Sequence, residues 1–88
     1  MRAIWKYPIG LSIEPVVHSM PEGAQILTVQ VQQDVITLWA MVDPDQPRTD
    51  RRFVVWGTGH RHSDAEKLTY IGSVQMGPFV WHIFEERP

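Results

Sequence analysis

Apolar and polar residues alternate along much of the 88-residue chain with the period of two that an extended strand imposes. The clearest stretch runs through Leu27, Val29 and Val31, which alternate with Thr28, Gln30 and Gln32. Gln33-Asp34 then reads as a tight turn. From Val35 the chain returns with Ile36, Leu38, Ala40 and Val42 on one face and Thr37, Trp39 and Met41 on the other. That pattern predicts a β-hairpin with one wet face. Earlier, Ala3–Tyr7 reads as a short strand stopped by Pro8 and Gly10, and Val16–Met20 as a second between Pro15 and Pro21. Pro21-Glu22-Gly23 carries the dihedral preferences of a turn. Asp43–Asp50 reads as a polar loop with two prolines, and Arg52–Trp56 as a strand ended by Gly57-Thr58-Gly59. Ser63–Leu68 suits one helical turn, with Ser63 as cap and Glu66 three residues on, too short to stand alone. Thr69–Met76 and Phe79–Glu85 form a last predicted hairpin around Gly77-Pro78.

Five to seven short strands with at most one helical turn predict an all-β fold. The expected architecture is a small antiparallel sandwich or a partly open barrel, built as one domain over residues 1–88. Composition supports a real core: hydrophobic residues make up 43%, charged residues 20%, and four are tryptophan. The absence of cysteine rules out disulfides, zinc–thiolate sites and thiol nucleophiles. A formal charge of −2 argues against generic nucleic-acid binding, which calls for a basic face. No stretch approaches the roughly 20 apolar residues that span a bilayer. Met1–Pro8 has no apolar run of signal-peptide length, so the expected compartment is the cytoplasm. Exposed sheet edges need charge, proline or a second subunit to protect them, which makes a homodimer one expectation.

The most unusual segment is Trp56-Gly57-Thr58-Gly59-His60-Arg61-His62. Two glycines spaced by one residue after a strand let the backbone turn sharply and expose neighbouring N–H groups, the geometry of an anion nest. His60, Arg61 and His62 add charge or hydrogen bonds, and Trp56 a stacking surface, for a phosphate, nucleotide or carboxylate. The competing reading is a glycine-rich turn with solvated basic residues. A Rossmann or P-loop motif does not fit, since the further glycine or lysine and the long helix are missing. His60 and His62 with His18 or His82 match no zinc spacing, so no metal and no cofactor is expected. Ser12, Ser19, Ser63 and Ser73 lack a nucleophile-elbow context. Asp43 with Asp45, and Glu85 with Glu86, are paired carboxylates that read as ordinary loop and tail residues. Trp39 lies opposite Ile36, Leu38 and Val42, which makes it a candidate partner-facing residue. His82 alternates with Val80 and Phe84 and is expected to be buried and hydrogen-bonded.

The blocks Ile4-Trp5-Lys6-Tyr7-Pro8, Met20-Pro21-Glu22-Gly23-Ala24, Leu38-Trp39-Ala40-Met41-Val42-Asp43-Pro44, Gly57-Thr58-Gly59-His60 and Trp81-His82-Ile83-Phe84-Glu85 lie in this order over almost the whole chain. In them the chain resembles a family of short uncharacterised proteins encoded by bacteriophages and prophages. The resemblance implies a setting, a phage accessory gene expressed in a bacterial cytoplasm, and carries over no site residue. The expected function is non-enzymatic binding, with a host protein such as an antiviral defence component as partner. The alternative is sequestration of a nucleotide or other small anion by the Gly57–His62 loop. A minor virion or assembly component comes after these. Catalysis comes last, because no nucleophile is found with its activating base.

Overall fold

In the computed structural model, which describes residues 1–62 and 65–88, seven strands form two antiparallel sheets. They are β1 (Ala3–Pro8), β2 (Val16–Pro21), β3 (Gln25–Gln32), β4 (Val35–Val42), β5 (Arg48–Gly57), β6 (Leu68–Met76) and β7 (Phe79–Glu86). One sheet has the order β1-β4-β3 and the other β2-β5-β7-β6. Both are open, so the fold is a sandwich-like pair of sheets rather than a closed barrel. The predicted helical turn is a single 3₁₀ turn, Ala65–Lys67. Its expected cap, Ser63, lies outside the described residues.

Two hairpin turns set most of the register. Gln33 and Asp34 both take positive φ (49° and 64°), the signature of the type I′ turn that matches strand twist. The ladder from Gln32–Val35 to Thr28–Trp39 follows directly. At the second hairpin Gly77 takes φ 59° and Pro78 supplies the fixed negative φ that follows it. Met76–Phe79, Val74–Trp81 and Ser73–His82 then stand opposite each other.

The core gathers on the inner faces. Ile36, Leu38, Ala40 and Val42 of β4 are almost wholly buried with Phe53 of β5 and Ile83 of β7, in one cluster with Tyr7, Met20, Val29 and Val74. The inner face of β4 is as predicted, but its other face is not wet: Thr37 is 3% exposed, and Trp39 and Met41 are half-buried. The alternation of β3 is interrupted: a bulge between Ile26 and Thr28 shifts the register. Ile26 turns inward opposite Ala40, and Leu27 is left 43% exposed. A matching irregularity in β6, between Tyr70 and Gly72, brings the two sheets together where Gly72 meets Val29. At the other side His18 sits edge-on to Tyr7 at 5.2 Å, and its Nε2 shares a 2.6 Å hydrogen bond with the Pro8 carbonyl.

Two readings of polar segments need correction. The expected loop Asp43–Asp50 ends at Pro47, because Arg48–Asp50 pair with β2 and extend β5. The remaining turn is held by Asp43, whose carboxylate accepts from the Asp45 amide (3.1 Å) and Gln46 Nε2 (3.2 Å). These hydrogen bonds hold its pKa below the usual aspartate value. Nor is Glu85-Glu86 a loose tail. Both end β7, where Glu85 takes a bidentate fork from Arg51 (2.6 and 2.7 Å) and Glu86 pairs with Arg52 (2.7 Å).

The phenol of Tyr7 is buried, and its Oη has no partner among the described residues. Burial raises its pKa, partly offset by the positive charges of Arg48 and Arg51. Folded Tyr7 therefore holds its proton more tightly than the unfolded chain does. That stabilisation is present below the unfolded value of about 10 and is lost as pH rises through the folded value. Tyr7→Phe should leave stability at pH 7 unchanged or raised by up to about 1 kcal/mol, since it removes an orphaned polar atom. It should also flatten the loss of stability above pH 10, as read by urea unfolding at a series of pH values. A second test addresses the sheet contact. A Cβ on Gly72 would lie 2.7 Å from Val29 Cγ1, so Gly72→Ala should cost about 1–3 kcal/mol. Adding Val29→Ala should recover part of that loss in a double-mutant cycle.

Candidate functional site

Beyond Phe53, β5 outruns β2 and carries Val54–Gly57 to one corner of the sandwich, still paired with β7. There the chain turns through Gly57-Thr58-Gly59-His60. The His60 amide donates to the Gly57 carbonyl (3.3 Å), and Gly59 takes φ 87°, as the third position of a type II turn requires. The Thr58 amide donates to the Val80 carbonyl (3.3 Å) and ties the turn to β7. These bonds use two of the amides that an anion nest would present, so the loop is a closed turn rather than an open cradle.

Gly57 is small for a reason. A Cβ there would lie 2.8 Å from His60 Cε1 and 3.1 Å from Trp81 Cζ3, because both rings close over the backbone. On the outer face of the sheet, the His62 ring lies flat on Trp56, 3.7 Å away with 2° between the planes. Phe84 continues this ledge at 5.0 Å from Trp56, and Tyr70 lies 5.4 Å beyond it. Arg61 is exposed. Of the residues singled out from sequence, Trp56, Gly57, Gly59, His60 and His62 thus meet at one corner.

Three surface cavities converge there, and Gly57 and His60 line all of them. A groove of about 330 Å³ runs between the Leu11–Glu14 loop and the end of β5. A hollow of about 410 Å³ opens towards Phe79 and Val80, and one of about 290 Å³ lies over His82 and Phe84. A larger cleft, about 480 Å³, lies elsewhere between β5 and the end of β7. Its Arg51 and Arg52 are already matched with Glu85 and Glu86.

His82 is half-buried and faces outward with Val80 and Phe84. Its Nδ1 shares a 2.6 Å hydrogen bond with Ser73 Oγ, and its Nε2 one of 2.6 Å with Thr58 Oγ1. Tyr70 Oη joins Ser73 Oγ at 2.7 Å. Both ring nitrogens are occupied, so the chain Tyr70–Ser73–His82–Thr58 pins the turn to the sheet. Sequence reasoning passed over this group, although a two-residue hairpin at Gly77-Pro78 places Ser73 directly opposite His82. His18 is held at Pro8, away from this network. No three acidic or histidine side chains are grouped for a metal among the described residues.

Over residues 1–88 the chain matches the model of a family described as a domain of unknown function, DUF7352. It belongs to that family. No curated protein and no solved structure matches it. No helix among the described residues of this DUF7352 domain is long and apolar enough to cross a membrane.

Trp39 is half-buried on the outer face of the other sheet, opposite Lys6 and Thr28. Ile4, 56% exposed, stands opposite Met41 on that face. Lys6 Nζ donates to Gln32 Oε1 (2.9 Å) across it.

The two glycines of the turn should respond differently to a methyl group. Gly59→Ala should cost about 1 kcal/mol through its positive φ and leave the His60 and Trp81 ring signals in place. Gly57→Ala should displace both rings, seen as shifted imidazole and indole resonances in two-dimensional NMR, while core methyl signals hold.

Proposed function

We propose that this DUF7352 domain is a non-enzymatic phage or prophage accessory protein that acts in the bacterial cytoplasm by binding a host protein. An antiviral defence component is the kind of target envisaged. The phage setting rests on the sequence resemblance, and the binding role on the site. The observation that carries it is the meeting of three cavities on Gly57 and His60, walled by Trp56 and Trp81. Half-exposed aromatic residues around a concave surface are where binding energy concentrates. A catalytic reading has less to work with. The Ser73–His82 pair faces outward, the second ring nitrogen of His82 is engaged by Thr58, and no carboxylate among the described residues orients the ring.

A small anion remains the second reading, favoured by Arg61 and the two histidines beside the Trp56 stacking surface. It is weakened by the amides that the turn already uses.

Affinity capture from bacterial lysate, read by native mass spectrometry, tests both. The wild type should retain a host protein, the double variant His60→Ala with Arg61→Ala should lose it, and Ile4→Asp on the opposite sheet should keep it. Loss in Ile4→Asp alone would move the site to the Trp39 face. A retained nucleotide-sized mass with no protein would favour sequestration, and an empty spectrum would count against binding altogether.

A further inference from the structure

The ladder between β2 and β5 stops at the Val16–Phe53 pair, while β5 runs on to Gly57. The cause is local. Pro15 precedes Val16 and has no N–H with which to continue the ladder. Backbone groups of a strand point alternately to its two neighbours. The Thr58 amide bonds the Val80 carbonyl, so Trp56 and Val54 pair with β7. Val55 and Gly57 face the open side, where among the described residues no strand pairs with them. The N–H and C=O of Val55 and the N–H of Gly57 are therefore left without a strand partner on an inner segment of the sheet, the Gly57 carbonyl being taken by the His60 amide. Such an edge is a template for another strand, and sheets normally cover or charge it.

Here the edge lies in the groove of about 330 Å³ rather than on an open rim. Across the groove stand Leu11 and Ile13, 53% and 103% exposed, from the loop that leaves β1. Two bare aliphatic side chains facing an unpaired edge match an extended peptide, whose backbone pairs while alternate side chains pack. They do not match an anion, which would use the N–H groups and leave the carbonyls unpaired. The ends of the groove differ in charge. Glu14 lies within its lining on the loop side, whereas His60 and His62 flank Arg61 at the corner.

We propose that the Val54–Gly57 edge of β5 accepts an extended segment of a partner protein as an added β-strand. An apolar side chain of that segment packs against Leu11 and Ile13, and an acidic one points towards His60 and His62. The proposal rests on the binding reading of the same corner, and names backbone pairing as the principal contact. Four residues of β5 span about 13 Å, so the paired part of the segment is about four residues long.

The probe is a synthetic peptide selected from a random dodecapeptide library panned on the full chain. Its sequence should alternate apolar residues and carry an acidic one. Hydrogen exchange by NMR should show added protection at the Val55 and Gly57 amides, those of Val54 and Trp56 being engaged by β7 already. Methylating the peptide nitrogens at alternate positions should weaken binding about tenfold or more in one phase of the alternation and little in the other. Ile13→Asp, at a fully exposed loop position, should also weaken it without unfolding the protein.

Failure to select any peptide would overturn the proposal. So would a bound peptide that leaves the Val55 and Gly57 amides unprotected, a result that keeps the corner as a binding site but assigns the contact to its rings. Protection of the same amides in a concentration-dependent dimer, without peptide, would overturn it in favour of self-association. Strand addition seen alongside a lysate capture that retains nothing would uphold this inference and count against the host-target reading instead.

Discussion

Burial of the inner face of β4 is the constraint on which the rest of this fold depends. Ile36, Leu38, Ala40 and Val42 lose nearly all their exposure, and Phe53 and Ile83 supply the facing surface. With 88 residues and no cysteine, the chain has no covalent staple to share the task. The two sheets must therefore close on this strand. The bulge in β3 and the glycine in β6 are the means by which they approach, one turning Ile26 inward and the other making room for Val29.

The same economy accounts for the corner at the end of β5. A strand of ten residues opposite a partner of six leaves several unpaired on one side. The chain finishes them with a type II turn bound to β7 and fastens that turn through Thr58, His82 and Ser73. The result is rigid backbone with aromatic and imidazole rings laid over it. Binding surfaces gain from such pre-organisation, since less freedom is lost when a partner arrives. The opposite end of β5 is different in kind. There Arg51 and Arg52 are matched by Glu85 and Glu86, and the fork on Glu85, together with Arg51 Nη1 on the Ala24 carbonyl, locks β5 to β7 and to the turn after β2.

Much of this was legible in the residues. Alternation located β3 and β4, and proline and glycine boundaries and β-branched content located the other strands apart from the start of β5. Gln33-Asp34 and Gly77-Pro78 located both tight turns, and the Trp56–His62 segment was marked as unusual. The inner face of β4 was assigned correctly because each of its positions is paired without interruption, whereas Thr37, expected on a wet face, is buried by the central position of β4 between two strands. Leu27 was placed inward and lies outside, since a bulge inverts the faces on one side of it and leaves no mark that alternation can reveal. Glu85 and Glu86 passed for a tail because their partners lie 34 residues away in the chain.

The sequence alone determined the all-β class, the strand positions and the local turn chemistry, since these depend on near neighbours and on the side-chain period. Tertiary structure decided which strands are neighbours, where β2 stops along β5, and that Leu11 and Ile13 lie across from Val54–Trp56. It also decided between the nest and the turn that the Gly57–His62 segment allowed, since two of its amides bond the Gly57 and Val80 carbonyls. Each of those outcomes rests on hydrogen bonds and packing between segments far apart in the chain, which no local pattern encodes.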